Sequence, residues 1–307
     1  MKIQEALRGQ GLVSAQKPAD SDRRFPDGAE FRIEIPSVEG PGVLAAVVEQ
    51  AGRYDLTVNR VSQGSGGMLL EEGELREMAA IGAEAGLEVC LFTGPKAGYD
   101  VGAFSRSEDG RSQFAQIRGM RQLRYAAADI IRATEAGIRS FLVGDLGLLA
   151  VLTRMQRDGD LPSETIWKIS AYMGVSNPAS ICLLEDIGAG SVNIPADVTL
   201  EQLWEIRSAA SIPIDLYLET PDSMGPVVRG HEIADFVAVG APLHAKMGLA
   251  NAGGVYPSGG HTVDTAIANA REKVRRAAIA LEWLQRERPA SVQSKPHAAG
   301  LGIPVVS

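Results

Sequence analysis

The chain has 307 residues, is 45% hydrophobic and carries a formal charge of −8 with a pI near 5.2. It has enough apolar content to bury a large core and too little clustered positive charge for a nucleic-acid partner. No apolar run of about 18 or more residues and no charged-then-apolar leader is present, so the expectation is a cytoplasmic protein with no membrane partner. Two cysteines, Cys90 and Cys182, are too few for a disulfide framework or a four-thiolate iron-sulfur or zinc centre within one chain. Both lie in apolar segments and read as core.

Residues 1–29 hold one helical patch, KIQEALRG, and then a polar linker, an N-terminal extension expected to cap a domain floor or hang loose. From residue 30 to 288 strand-like runs alternate with amphipathic helical runs. The strand candidates are EFRIEIPS, LTVNRVSQ, LEVCLFTGP, RSFLVGD, IWKISAYMG, GSVNIPA, PIDLYLETP and DFVAVGAP. Between them lie stretches such as GVLAAVVEQAGRY, LRYAAADIIRATEAG and TLEQLWEIRSAAS. Gly86, Gly137 and Gly188 stand where helices would end before the next strand. This alternation predicts a single-domain (β/α)8 TIM barrel. An open doubly wound sheet is the alternative, but the first strand is followed by PSVEGPG, which lacks G-x-G-x-x-G spacing. The longest connection, KAGYDVGAFSRSEDGRSQFAQIRG, follows the third strand and is expected to act as a partial lid. The tail, 289–307, is rich in Pro, Gly and Ser; its apolar end would dock on this subunit or on a neighbour in a homo-oligomer.

In a barrel the outward side of each strand packs on helices, and inward residues near the C-terminal strand ends form the site. In IDLYLETPD, Asp215, Tyr217 and Glu219 therefore point into the lumen. The same parity turns Lys168, Ser170 and Tyr172 inward, together with Arg32 and Glu34. Arg60, Ser62 and Gln63 at the second strand, Asp145 ending the fourth and Asn193 in the sixth are further candidates. Buried charges must pair, titrate or bind something. The plain alternative is a structural network of Arg32, Glu34, Lys168 and Asp215 low in the barrel. Lys96, Lys168 and Lys246 all fall at or near strand ends in a chain whose cations are mostly Arg.

Two chemistries fit. In one, Glu34, Glu219, Asp145 and His244 hold a divalent metal, Mg²⁺ or Mn²⁺, or Zn²⁺ if the histidine joins, while Lys168 or Tyr172 moves a proton. In the other, Lys168 loses its proton in the low-dielectric lumen and forms a Schiff base with a carbonyl substrate, with Tyr172 or Glu219 as acid and base. Arg60 or Arg118 would orient an anionic group, with Ser62, Gln63, Asn193 and Tyr217 also contacting a small-molecule substrate. QGSGG after the second strand reads as a backbone nest for an anion or as a tight turn. ANAGGVYPSGGHT follows the eighth strand, where barrels often bind phosphate. A non-catalytic ligand-binding barrel remains the alternative of another class.

The segments RIEIPSVEGP, RVSQGSG, VCLFTGPKAGYD, NPASICLLEDIGAGSVNIP, LYLETPD and VYPSGG resemble the collagenase-like peptidases of family U-32, over roughly Phe25 to Glu287. That resemblance implies a barrel fold and a peptidase or hydrolase label; a lyase or isomerase fits the residues equally well. Some relatives in that family use a four-cysteine iron-sulfur site. With Cys90 and Cys182 alone the chain departs from that pattern, so no cluster is expected.

Overall fold

Strand and helix follow one another around a closed parallel barrel in the order β1 to β8. The protein is seen here in a computed structural model that describes residues 2–12, 16–100 and 102–306, with side chains from Glu5 onward. A short helix, α1 (Lys2–Arg8), precedes β1 (Phe31–Pro36) and α2 (Pro41–Arg53). Next come β2 (Arg60–Ser62), α3 (Glu72–Ala85), β3 (Glu88–Phe92) and α4 (Gly119–Glu135). The middle of the barrel is β4 (Ser140–Val143), α5 (Leu146–Asp158), β5 (Ile166–Ile169), α6 (Pro178–Ile187) and β6 (Ser191–Asn193). It closes through α7 (Leu200–Ala209), β7 (Ile214–Glu219), α8 (Ile233–Gly240), β8 (Leu243–Met247) and α9 (Val263–Glu287).

Strand alternation sorts the side chains. Ile33 and Ile35 of β1, Val89 and Leu91 of β3, and Ile214 and Leu216 of β7 are buried in one continuous apolar core, shared with Leu44 and Val47 of α2 and Leu148 and Leu152 of α5. Burying each such side chain contributes about 1.5–3 kcal/mol, and this outer layer is the main source of stability. Helix ends follow the expected signals. The Asn177 side chain accepts from Ser180 N at the start of α6, and Thr199 and Gln202 form a reciprocal capping box at α7. Gly86, Gly137 and Gly188 have φ of 65°, 103° and 116°, values that favour glycine at a helix end.

One element differs from the sequence expectation. DFVAVGAP is not the eighth strand: Ile233–Gly240 form α8, and β8 is the next segment, LHAKM. Ile233, Phe236, Val237, Ala238, Val239 and Gly240 are all buried. Past the exposed Asp235 the helix is a continuous buried apolar run, which periodicity alone does not tell from a buried strand. The shift carries His244 and Lys246 into the lumen, paired in register with Arg32 and Glu34 of β1.

The chain ends close the floor, the N-terminal side of the strands. Residues 289–306 dock on their own barrel: Gln293 bridges to Phe31, Asn59 Nδ2 donates to Ser294 O at 2.9 Å, and Val305 N donates to Gly137 O at 2.9 Å. Arg32 does not join the lumen network. Its guanidinium turns to the floor, donating to Ser294 Oγ and to the carbonyls of Ala299 and Gly300, under the Phe25 ring of the N-terminal segment at 4.0 Å. No described helix is long and apolar enough to cross a membrane.

Candidate active site

The lumen has two storeys. In the lower one Arg60, from β2, is the hub: its Nε lies 2.7 Å from Glu88 Oε1 and its Nη1 2.8 Å from Asp215 Oδ1 and 3.4 Å from Glu34 Oε2. Lys168 pairs with Glu34 and, at 3.5 Å, with Asp215. Lys246 reaches Glu34 Oε1 at 3.1 Å. Three carboxylates thus face three cations, and hydroxyls occupy remaining lone pairs: Ser62 donates to Glu34, Ser140 to Glu88 and Ser191 to Asp215, at 2.6, 2.6 and 2.8 Å. Gly302 N of the tail donates to Glu88 from below at 3.1 Å. The paired charges expected low in the barrel lie in this storey, with Arg60 and Glu88 in place of Arg32.

Burial alone would raise the carboxyl pKa of Glu34, Glu88 and Asp215, yet all three lie below the ordinary range. The neighbouring cations outweigh desolvation: Lys168 first for Glu34 and Asp215, Arg60 for Glu88. His244, 2.8 Å from Asp215 and edge-on to Phe25, is pushed down to about 4, by burial and then by Arg60. All four native groups therefore bind protons less readily than their unfolded counterparts. The contribution of these four groups is complete above about pH 6.5, falls as the unfolded histidine protonates between there and about 4, and falls faster below that as unfolded carboxylates protonate. Urea titrations at stepped pH check this; His244→Gln is expected to remove the upper stage, and an unchanged profile would show that the histidine is not the group responsible.

The upper storey is a cavity of about 310 Å³ at the C-terminal strand ends. Its walls are largely aromatic: Phe92, Tyr99, Phe114, Tyr172, Tyr217 and Tyr256, with Ser62, Gln63, Ser170 and Asn193 among its polar lining. Among the described residues that line it, Lys246 carries the charge. Its Nζ is held by Glu34, by Asn193 Oδ1 at 3.2 Å and by the Tyr217 ring at 4.3 Å. Tyr99 and Phe114 come from the long connection after β3, which folds over the mouth and meets Tyr172 through Phe114 at 5.4 Å between centroids. Burial raises the Tyr172 phenol, so it stays protonated.

The Gly-rich turn after β2 is already filled. Glu39 accepts from Gly64 N and Ser65 N at 2.8 and 3.0 Å, while Lys96 donates to both carbonyls and sits 3.6 Å from the Phe92 centroid. The nest expected for an external anion therefore holds the protein's own carboxylate. Gly64 is required there, because a Cβ would come within 2.5 Å of the Tyr256 ring.

Solved structures of barrel proteins match the chain, although no family model and no curated protein does. One is a U32 peptidase, with 15% identity over 67% of this chain and 72% of that one and a TM-score of 0.36. Another is thiamine phosphate pyrophosphorylase from Pyrococcus furiosus, with 8% identity over 83% and 97% and a TM-score of 0.46. A third is the carboxyl transferase domain of pyruvate carboxylase from Rhizobium etli, with 12% identity over 94% and 55% and a TM-score of 0.44. The likeness is one of fold.

The structure brings together Ser62, Gln63, Tyr172, Asn193 and Tyr217 in the cavity wall, while Glu34, Arg60 and Lys168 lie beneath it. It separates the expected metal ligands. A bulge between Tyr217 and Glu219 turns Glu219 away from the lumen, where it accepts from Ala250 N at 3.0 Å and faces Arg276 of α9 at 3.8 Å. Asp145 caps α5, accepting from Leu148 N and Ile117 N at 2.8 and 3.0 Å. His244 sits low against Asp215 and Phe25. Among the described residues no group of three or more His, Cys, Asp or Glu is placed to hold a metal ion. Arg118 is exposed at the start of α4 and does not line the cavity, and the neighbouring Arg121 pairs with Asp100. Burial pushes the Cys90 thiol up to about 12, as expected of a core cysteine.

Sequence reasoning passed over Lys246 as a site residue, although its place near a strand end was visible. Its parity was hidden by the displaced eighth strand. Tyr99, Phe114 and Tyr256 sit on loops, where no periodicity says which way a side chain points.

Proposed function

We propose that this barrel is an enzyme acting on a small molecule with an apolar or aromatic body and one carboxylate or carbonyl group, received in the mouth cavity with that oxygen on Lys246. The observation that carries this is that, among the described residues lining the cavity, Lys246 is the one charged side chain, set among aromatic and other neutral ones. At about 310 Å³ it lies at the small end of metabolite sites. A fixed ammonium at the position where an oxygen gains negative charge stabilises an enolate-like transition state. Tyr172, kept protonated, serves as the proton donor, and Glu34 positions Lys246. These roles fit a lyase or isomerase, with Lys246 in the part first expected of Lys168. The divalent-metal reading loses its support, because its four ligands lie in four different places. Lys168 has no exposed surface and two carboxylates to hold it, so it is a strut of the floor.

The experiment is a calorimetric screen of small keto acids, aromatic carboxylates and amides, with each hit followed by NMR in D₂O for proton exchange or bond cleavage. Hits are expected to bind the native protein and to lose at least about tenfold in affinity with Lys246→Met, the equivalent of about 1.4 kcal/mol. Equal binding to both proteins would overturn the reading. Binding with no exchange or cleavage for any hit would make the barrel a ligand-binding protein.

A further inference from the structure

Beside the mouth cavity lies a second one of about 260 Å³, lined by Pro221 and Asp222 after β7, by Gly248, Leu249 and Ala252 to Val255 after β8, and by Asn269 and Lys273 of α9. Ser37, Pro221, Ser223 and Tyr256 border both cavities. Tyr256 is the bolt between them, its hydroxyl donating to Ser37 Oγ at 2.6 Å.

Lys273 is the unusual group here. It is 4% exposed, and its Nζ donates to Pro36 O at 2.7 Å. That uses one of the three donors of an ammonium. Among the described residues no carboxylate forms an ion pair with it, in contrast to Lys168, which has two, and Lys246, which has one. Glu39 attracts it from beyond ion-pair distance, and a buried cation with no closer counter-charge is costly unless something supplies the charge. Burial, first of all, pushes its pKa down to about 8. The wall opposite is a glycine-rich loop whose shape is set from α9, with Asn269 Nδ2 donating to Gly253 O at 3.0 Å. Gly254 has open space around its Cβ position, so an oxyanion can approach the backbone closely.

We propose that this second cavity is an anion subsite, in which Lys273 and the Gly253–Gly254 backbone receive a carboxylate or phosphate group. The shared wall sets that anion beside whatever Lys246 holds. The site rests on its own residues and stands or falls apart from the Lys246 reading.

The test is calorimetric titration of the full chain with inorganic phosphate and, separately, with acetate. Saturable binding of either is expected, weakened at least about tenfold by Lys273→Met. Preference for phosphate over acetate, or the reverse, distinguishes the two sources of charge. No saturable binding of either anion, or the same affinity in Lys273→Met, overturns the proposal. Should Lys273→Met fail to fold, Asn269→Ala decides: it releases the Gly253 carbonyl at a half-buried surface position, and unaltered anion affinity there counts against the site.

Discussion

Arg60→Met is expected to destabilise the protein by about 3–5 kcal/mol, a large share of the about 5–15 kcal/mol by which domains are stable. One guanidinium serves Glu34, Glu88 and Asp215, none of which has measurable exposure. Removing it leaves three buried carboxylates facing two ammoniums. The sign of the pH dependence should also invert. With Arg60 gone, burial is no longer outweighed at Glu88, whose remaining partners are Ser140 Oγ and Gly302 N, and its folded pKa moves above the unfolded one. A group raised in this way stabilises at low pH and loses that contribution as pH rises through its folded value. The variant should therefore be stabler near pH 5 than near pH 8, the reverse of the native protein. Adding Glu88→Gln to Arg60→Met should recover part of the loss, because it removes the charge left unpaired. Denaturant titrations at both pH values check all three statements, and a loss below about 1 kcal/mol in the single variant would show that the network is not what holds the lower barrel together.

The second large effect is on chemistry. Lys246→Met is expected to lower kcat/KM for the true substrate by about 10²–10⁴, the usual contribution of a positioned proton-transfer or charge-stabilising group. Stability should fall by clearly less than in Arg60→Met, because Lys246 serves Glu34 alone and Glu34 keeps Lys168, Arg60 and Ser62 as partners. Lys168→Met should show the opposite pattern, losing stability while turnover per folded molecule falls far less. Steady-state kinetics and thermal melts on the two variants separate the roles. A Lys168 variant that is stable and inactive would restore the Schiff-base reading at that residue.

The barrel was legible because its strands alternate cleanly: Ile33 and Ile35 out against Arg32 and Glu34 in, Ile214 and Leu216 out against Asp215 and Tyr217 in. Inward-facing Arg60, Ser62, Lys168 and Asn193 followed from the same parity. What parity cannot show is depth. Glu34 and Lys168 face the lumen as expected but lie below the cavity, closed off by their own ion pair. Nor can it show a bulge, which is why Glu219 was expected inside and lies against Ala250 and Arg276. The continuous buried run from Phe236 to Gly240 in α8 hid the amphipathic signal that would have placed β8, and with it Lys246. Glu39 and Lys96 are far apart in sequence, and only the folded chain shows them gripping opposite edges of the Gly64–Ser65 backbone.

The measurement that tests the central claim most directly is a crystal structure of the protein with a small carboxylate from the screen. Its carboxylate is expected within hydrogen-bond distance of Lys246 Nζ, with its body among Phe92, Phe114, Tyr172 and Tyr217. A ligand that binds in solution but is seated anywhere other than the mouth cavity would contradict the account.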